Sequence, residues 1–502
     1  MLGEWPESSL EDLCDLIVDC PHSTPEWTDL GVVVLRNQYI RGGRLDLSNP
    51  SYTTEEGYLA RIKRAIPLAG DLVLTREAPM GEVCQIPEGL KCCLGQRMVL
   101  LRPAPEKVDS EFLLFSLQSP YLQHQINWSE GTGTTVSNIR LPDLRAFKVP
   151  VPSLRVQKAI AGILKALDDK IELNRQINAT LESMAQALFK SWFVDFDPVI
   201  DNALAAGNPI PEPLQARADK RAALLAAASA ADTFSASATD NAHPTQTAPH
   251  TQPGTTAPAT PLQPLPADLR ALFPNSFVFN EEMGWVPEGW IDAKVGDYLD
   301  VLETGRRPKG GVAKYSEGVP SVGAESIGGI GGFDFGKTKY VPFEFFETMK
   351  SGRVEDYDVL LYKDGGKPGD FKPRIGMYGE GYPFSEFGIN EHVFRLRSES
   401  LGQPFLYYQV GSDRSFHDLA VRGGKAAIPG VNQGDVKSLL LIVPDFSLVE
   451  RFNATVQPWF KSILLRSKQS RTLEDVRDLL LPKLLSGQLQ LTEAEQMVAE
   501  AL

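Results

Sequence analysis

The sequence predicts an α+β chain in which two mixed α/β heads are separated by two long helices that form an antiparallel coiled coil. The whole is a pseudo-twofold internal repeat. Three observations carry this reading: a heptad seam through residues 153–195, a second through 447–487, and a resemblance between the segments ahead of each helix.

The first head spans residues 1–152. Short apolar runs bounded by Gly and Pro (GVVVLRN at 31–37, GDLVLTR at 70–76, RMVLLRP at 97–103) read as strands, and FLLFSLQSPYLQHQIN at 112–127 has helical periodicity. A loop of small polar residues follows at 131–138, and LPDLRAFKVPVPSL leads into the first long helix, 153–195. There Ile160, Leu164, Leu167, Ile171, Asn174, Asn178, Leu181, Ala185, Leu188 and Trp192 alternate at steps of four and three, which is a coiled-coil seam. Roughly forty residues at 1.5 Å each make a rod of about 60 Å, too long to stand without a partner. Off the seam, Ile163, Ile177, Met184 and Phe189 either widen it or serve as a docking face.

From residue 196 to 282 the chain reads as linker. Residues 215–231 favour helix, whereas 232–266, built from Thr, Ala, Pro, Ser, Gln, Asn and Asp, have too few apolar residues to pack and are expected to be disordered. The second head, 283–446, repeats the first. FLLFSLQS at 112–119 matches FLYYQVGS at 405–412, and EGTGTTVSNIRLPDL at 130–144 matches RGGKAAIPGVNQGDV at 422–436. Likewise GDLVLTREAPMGEV resembles YDVLLYKDGGKPGD, and GQRMVLLRP resembles INEHVFRLRS. The second long helix, 447–487, carries Val449, Phe452, Val456, Trp459, Ile463, Arg466, Ser470 and Leu473 on its seam, and Pro458 is expected to kink it or mark its start. Residues 488–502 read as a tail. Plain core helices of one large domain are the competing account of both rods.

Composition, with 42% hydrophobic and 23% charged residues in 502, is that of a globular protein. No run of eighteen apolar residues occurs and MLGEWPESSLEDL lacks a signal pattern, so a cytoplasmic location is expected. Cys14, Cys20, Cys84, Cys92 and Cys93 show no C-x-x-C spacing, so they read as free thiols, without a zinc site or disulfide framework. P-loop, H-E-x-x-H and G-x-S-x-G motifs are absent, and the six histidines are scattered. No catalytic residue and no metal site is therefore assigned. A net charge of −14 counts against a simple nucleic-acid footprint, although a locally basic cleft can exist on an acidic protein.

Two similar heads on a rigid spacer suit the reading of two separated half-sites on duplex DNA, where Arg, Lys, Asn and Gln match the major-groove pattern of donors and acceptors. The candidates in the first head are Arg36, Asn37, Gln38, Arg41, Arg44, Arg76, Arg97, Thr134, Thr135, Asn138 and Arg140. In the second they are Arg306, Arg307, Lys309, Lys314, Lys363, Lys367, Lys372, Arg374, Asn390, Arg422 and Lys425. A coiled-coil scaffold with protein-binding heads, or a self-sufficient nuclease, are the alternatives from other classes.

The run IRLPDLRAFKVPVPSLRVQKAIAGILKALDDKIELNRQINATLESMAQALFKSWFVDFDPV closely resembles the central region of specificity subunits of Type I restriction-modification systems. LLLPKLLSGQL at 479–489, AGDLVLTREAPMGEV, EGTGTTVSNI and ALFPNSFVFNEEMGWVPEGW at 271–290 are similar to the family too. The Pro/Thr/Ala-rich segment at about 232–262 departs from the family pattern as an insertion. The resemblance implies a non-catalytic subunit with two target recognition domains, 1–152 and 283–446, that reads a bipartite, asymmetric DNA site. It also implies two methyltransferase subunits that use S-adenosylmethionine to methylate adenine N6, and two motor-nuclease (restriction) subunits that use ATP and Mg²⁺. No cofactor is expected in this chain.

Overall fold

The computed structural model describes residues 5–128, 138–236, 265–365, 367, 369, 371–424 and 429–502. They pack into two units, Met1–Asn174 with Gln469–Leu502, and Arg175–Lys468.

In the first unit the strands are β1 Glu7–Ser9, β2 Cys14–Asp19, β3 Val32–Leu35, β4 Ser51–Thr53, β5 Leu72–Thr75, β6 Val83–Gln85, β7 Cys92–Leu94, β8 Met98–Pro103 and β9 Lys148–Pro150. They form an antiparallel sheet of order β2-β8-β5-β6, a three-stranded sheet β4-β3-β7 with β3 parallel to β7, and the pair β1-β9. The unbroken apolar runs of β5 and β8 follow from burial on both faces. Leu72, Leu74, Val99 and Leu101 pack with Phe112, Leu113 and the first long helix, while Val73, Met98 and Leu100 face Cys84, Ile86 and Leu35. The helical stretch expected at 112–127 is two helices, Ser110–Gln118 and Pro120–Trp128. Ser119, ahead of Pro120, is extended at ψ 149°, as the proline ring demands of its predecessor.

The second unit repeats the topology. Its strands are β10 Ile291–Lys294, β11 Val301–Thr304, β12 Val319–Val322, β13 Gly329–Ile330, β14 Lys339–Val341, β15 Val359–Tyr362, β16 Ile375–Met377, β17 Gly388–Ile389, β18 Val393–Arg397 and β19 Leu440–Val443. The sheet β11-β18-β15-β16 answers β2-β8-β5-β6, with β13 added at its edge. The sheet β14-β12-β17 answers β4-β3-β7, again with one parallel pair, and β10-β19 answers β1-β9. A buried ion pair is duplicated as well. Asp71 is bidentate to Arg102 at 2.8 and 2.9 Å and accepts the Leu68 amide, whereas Asp358 accepts from Arg397 at 2.8 Å, from Arg395 and from the Glu355 amide.

The long helices are Leu154–Phe193 and Phe446–Leu485. In the first unit Ile160, Leu164, Leu167 and Ile171 share a core with Leu473, Leu480 and Leu484. Asn174, fully buried, donates to Gln469 Oε1 at 3.0 Å and Ser470 Oγ at 3.3 Å, and Arg477 reaches Asp168 at 2.8 Å. As one residue number rises its partner's falls, so the pair is antiparallel. In the second unit half-buried Asn178 donates to the Ile463 carbonyl and Ser467, Leu181 and Leu188 lie against the core, and Val449, Phe452, Val456 and Ile463 are buried in it. Phe189, Trp192 and Phe193 form an aromatic cluster with Phe405 and Phe452, ring centroids 5.0–6.3 Å apart. Ile163 and Phe189 are buried, which widens the seam, while Met184 is exposed.

Other expectations are corrected. Pro458 neither starts nor interrupts the second helix. It is exposed, as is Ala454 one turn earlier, so the carbonyl that the ring leaves without a partner is on the solvent side. Phe460, not Trp459, takes the fully buried place. In the linker the helix expected at 215–231 is present as Glu212–Ala236, and a further helix, Asp197–Ala206, precedes it; the two are locked by Arg217 on Asp197 and Arg221 on Asp201, with Ala218 buried between them. Thus residues 232–236 are helical, and 237–264 lie outside the described residues. The tail is a helix, Leu491–Ala501, whose Ala494 and Val498 join the first core.

Candidate nucleic-acid interface

One cleft in the first head gathers several candidate residues. It is open to solvent and walled by Pro25, Trp27, Arg36, Asn37, Gln38, Ala78, Gly95, Gln96 and Arg97. β3 delivers Arg36, Asn37 and Gln38 where it ends in a 3₁₀ turn, Asn37–Tyr39, and the short connection between β7 and β8 delivers Gln96 and Arg97. Parallel pairing of Leu35 with Leu94 brings the two strand ends together, and the Gly95 amide bonds the Leu35 carbonyl. Any side chain at Gly95 would strike that carbonyl at 2.4 Å, so only glycine permits the approach.

The far wall is held by Arg61, 7% exposed, which the sequence reading passed over. Its guanidinium donates to the carbonyls of Pro21, Ser23, Leu94 and Gly95 at 2.8–3.3 Å, tying the loop that carries Trp27 to the connection between β7 and β8. Burial lowers its pKa from the ordinary arginine value, and four carbonyl acceptors replace its lost hydration. Two of the five non-glycine residues with positive φ among those described, Ala78 at 45° and Arg97 at 67°, stand at the mouth. Such strained backbone gathers at functional sites.

Arg36 lies over the Trp27 ring at 5.1 Å and donates to Ser51 Oγ at 3.3 Å. Asn37 donates to the Glu77 carbonyl, Arg97 is 3.5 Å from the Glu77 carboxylate, and Gln38 and Arg41 are exposed. The remaining candidates have other employment. Arg44 is bound to Asp168 and Glu172 of the first long helix, so it fastens the head to its spacer. Arg76 is nearly buried, held by Asp19 at 2.6 Å and the Ile139 carbonyl at 2.8 Å, and is a structural tie. Asn138 is half-buried, with Oδ1 lacking a partner, and Arg140 is exposed beside Asp143. Thr134 and Thr135 lie outside the described residues.

In the second head Arg306, Lys309, Lys314, Lys367, Lys372 and Arg374 are exposed, the last over Tyr362 at 4.7 Å. Asn390 is 2% exposed and accepts the His392 amide, so it shapes a turn and is no surface contact. Arg422 is consumed by Ser438 and the Asp435 carbonyl, and Lys425 lies outside the described residues. Strand register sets Val322 and Ile389 where the first head has Leu35 and Leu94. The cleft positions there carry Glu325 paired with Lys339, Glu391 paired with Arg307, and Asp364 between Lys363 and His392. One scaffold thus presents two chemically different surfaces. Among the described residues no group of three or more His, Cys, Asp or Glu could hold a metal ion, and no helix is long and apolar enough to cross a membrane.

Two heads of one topology, each with loops of its own chemistry and packed on a long helix, define an internally duplicated protein. Residues 3–183 match the family model of the Type I restriction modification DNA specificity domain. The chain is 27% identical over 407 residues to the Type I restriction enzyme HindI specificity subunit of Haemophilus influenzae, covering 78% of this chain and 80% of that protein. It is 23% identical over 434 residues to the MjaIX specificity subunit of Methanocaldococcus jannaschii, covering 84% and 78%. Among solved structures, the S subunit of a Type I restriction-modification system from M. genitalium superposes with a TM-score of 0.47 at 14% identity, over 96% of each chain. Residues 3–183 thus match a Type I restriction modification DNA specificity domain, and most of the chain is similar to specificity subunits of Type I restriction enzymes.

Proposed function

We propose that this chain gives a Type I restriction-modification complex its DNA sequence specificity and is itself non-catalytic. Each head reads one half of a bipartite, asymmetric site, and the paired long helices set the gap between the halves. The observation that carries this is the duplicated topology with unlike loops: the same strand order twice, yet Arg36, Gln38, Gln96 and Arg97 in one head where Gly323, Glu325, Glu391 and His392 stand in the other. Arginine and amide side chains match purine edges in the major groove, whereas carboxylates accept from cytosine N4. Unlike half-sites follow.

Two methyltransferase subunits docked on the helices would bind S-adenosylmethionine and take the target adenine out of the stack, while this chain holds the register. Two restriction subunits would use ATP and Mg²⁺, and the assembly would work in the cytoplasm. The net charge of −14 suits a subunit whose partners make many of the phosphate contacts. Methylome sequencing of the organism with and without this gene tests the reading. Loss of N6-methyladenine at one bipartite motif supports it, and an unchanged methylome contradicts it.

A further inference from the structure

Most arginines of the first head are already committed to partners. Arg44, Arg76 and Arg102 bind carboxylates, and Arg61 is spent on four carbonyls. Arg36 differs, because among the described residues it has no carboxylate partner and gives one N–H to a neutral hydroxyl. That hydroxyl, Ser51 Oγ, is itself fixed by the buried Tyr39 hydroxyl at 2.6 Å, and Ser51 is held in register opposite Val34. The guanidinium rests on the face of Trp27, which is 46% exposed and touches two hollows, the cleft and a neighbouring one lined by Asp29, Pro50 and Tyr52. An arginine stacked on an aromatic face keeps its planar fork oriented with little further loss of rotamer freedom.

Resting on the DNA-recognition reading above, we propose that Arg36 reads a guanine in one half-site, with Trp27 as the positioning residue that aims it. The fork matches guanine O6 and N7, and no other base offers two acceptors at that spacing in the major groove. Trp27 supplies the plane, Ser51 anchors one nitrogen, and Arg36 lines the cleft together with Gln38, Gln96 and Arg97.

The test is the methylome of the organism carrying R36K or W27A in the full chain, with its partner subunits present. R36K keeps the charge and loses the fork, so one guanine of one half-site should relax, with discrimination falling roughly ten- to hundredfold. The other half-site should stay strict, which reports a folded, assembled chain. W27A should relax the same guanine, and W27Y, which keeps an aromatic face, should restore it. A uniform loss at all positions would make Arg36 a phosphate contact and overturn the proposal, as would an unchanged motif or half-sites without guanine. Should R36K abolish methylation altogether, W27A decides alone: relaxation at one guanine supports the assignment and an unaltered motif overturns it. A wild-type chain that directs no bipartite methylation would sink the underlying reading as well, an outcome distinct from all of these.

Discussion

At the scale of single residues, the division between buried ties and groups exposed at the cleft organises the first head. Arg61 illustrates the first kind, and Arg61→Ala would leave four carbonyls without their donor. A loss of about 3 kcal/mol is expected, seen as a lower thermal midpoint, and a change under about 1 kcal/mol would contradict the account. The thiols are a second case. Burial pushes Cys93 up to about 11 and Cys14 and Cys92 up to about 12, from an ordinary 9.0. Above pH 9 the unfolded chain therefore sheds protons that the fold retains, so these groups favour folding at neutral pH and lose that contribution as pH rises towards 11–12. Reagent labelling at pH 8 should leave Cys84, Cys92 and Cys93 untouched until denaturant is added, and rapid native labelling would refute their burial. The sequence showed which residue types could read DNA, but not which were free. Arg76 and Arg422 are committed to partners such as Asp19, Ile139 and Ser438 that only the fold brings near, and Asn390 is buried in a turn with His392. Trp27 carried no charge to draw notice.

At the scale of elements, the long helices were legible because a heptad seam survives without its surroundings, while the strands were legible from apolar runs bounded by Gly and Pro. Of the helical pair in 197–236, the helix over 215–231 was legible from its alanine-rich composition, whereas the ten-residue helix Asp197–Ala206 and the arginine-carboxylate pairs that join the two were not. The polar seam residues are the testable feature. Asn178 Oδ1 is buried without a partner, so Asn178→Leu should raise the thermal midpoint, because an orphaned acceptor is removed and apolar contact added. The same change should weaken the choice of register, as polar seam residues do. A lowered midpoint would show that the donor bonds to Ile463 and Ser467 outweigh the orphan.

At the scale of the whole molecule, duplication is the controlling fact. It was readable at FLLFSLQS and FLYYQVGS, and the matching strand orders and the twin pairs Asp71–Arg102 and Asp358–Arg397 extend it to the cores. The loops at the strand ends diverge in chemistry, which is where two half-sites would differ and where no pattern in one sequence links residue to base. The central claim is that the helices act as the ruler between two reading heads, and changing their length tests it most directly. A heptad inserted after Asn174 and another before Gln469 adds about 10 Å to the rod, or roughly two to three base pairs at 3.4 Å each. Methylome sequencing of that variant should return both half-sites unchanged with a gap longer by that amount. Methylation of the original motif at its original gap would contradict the claim.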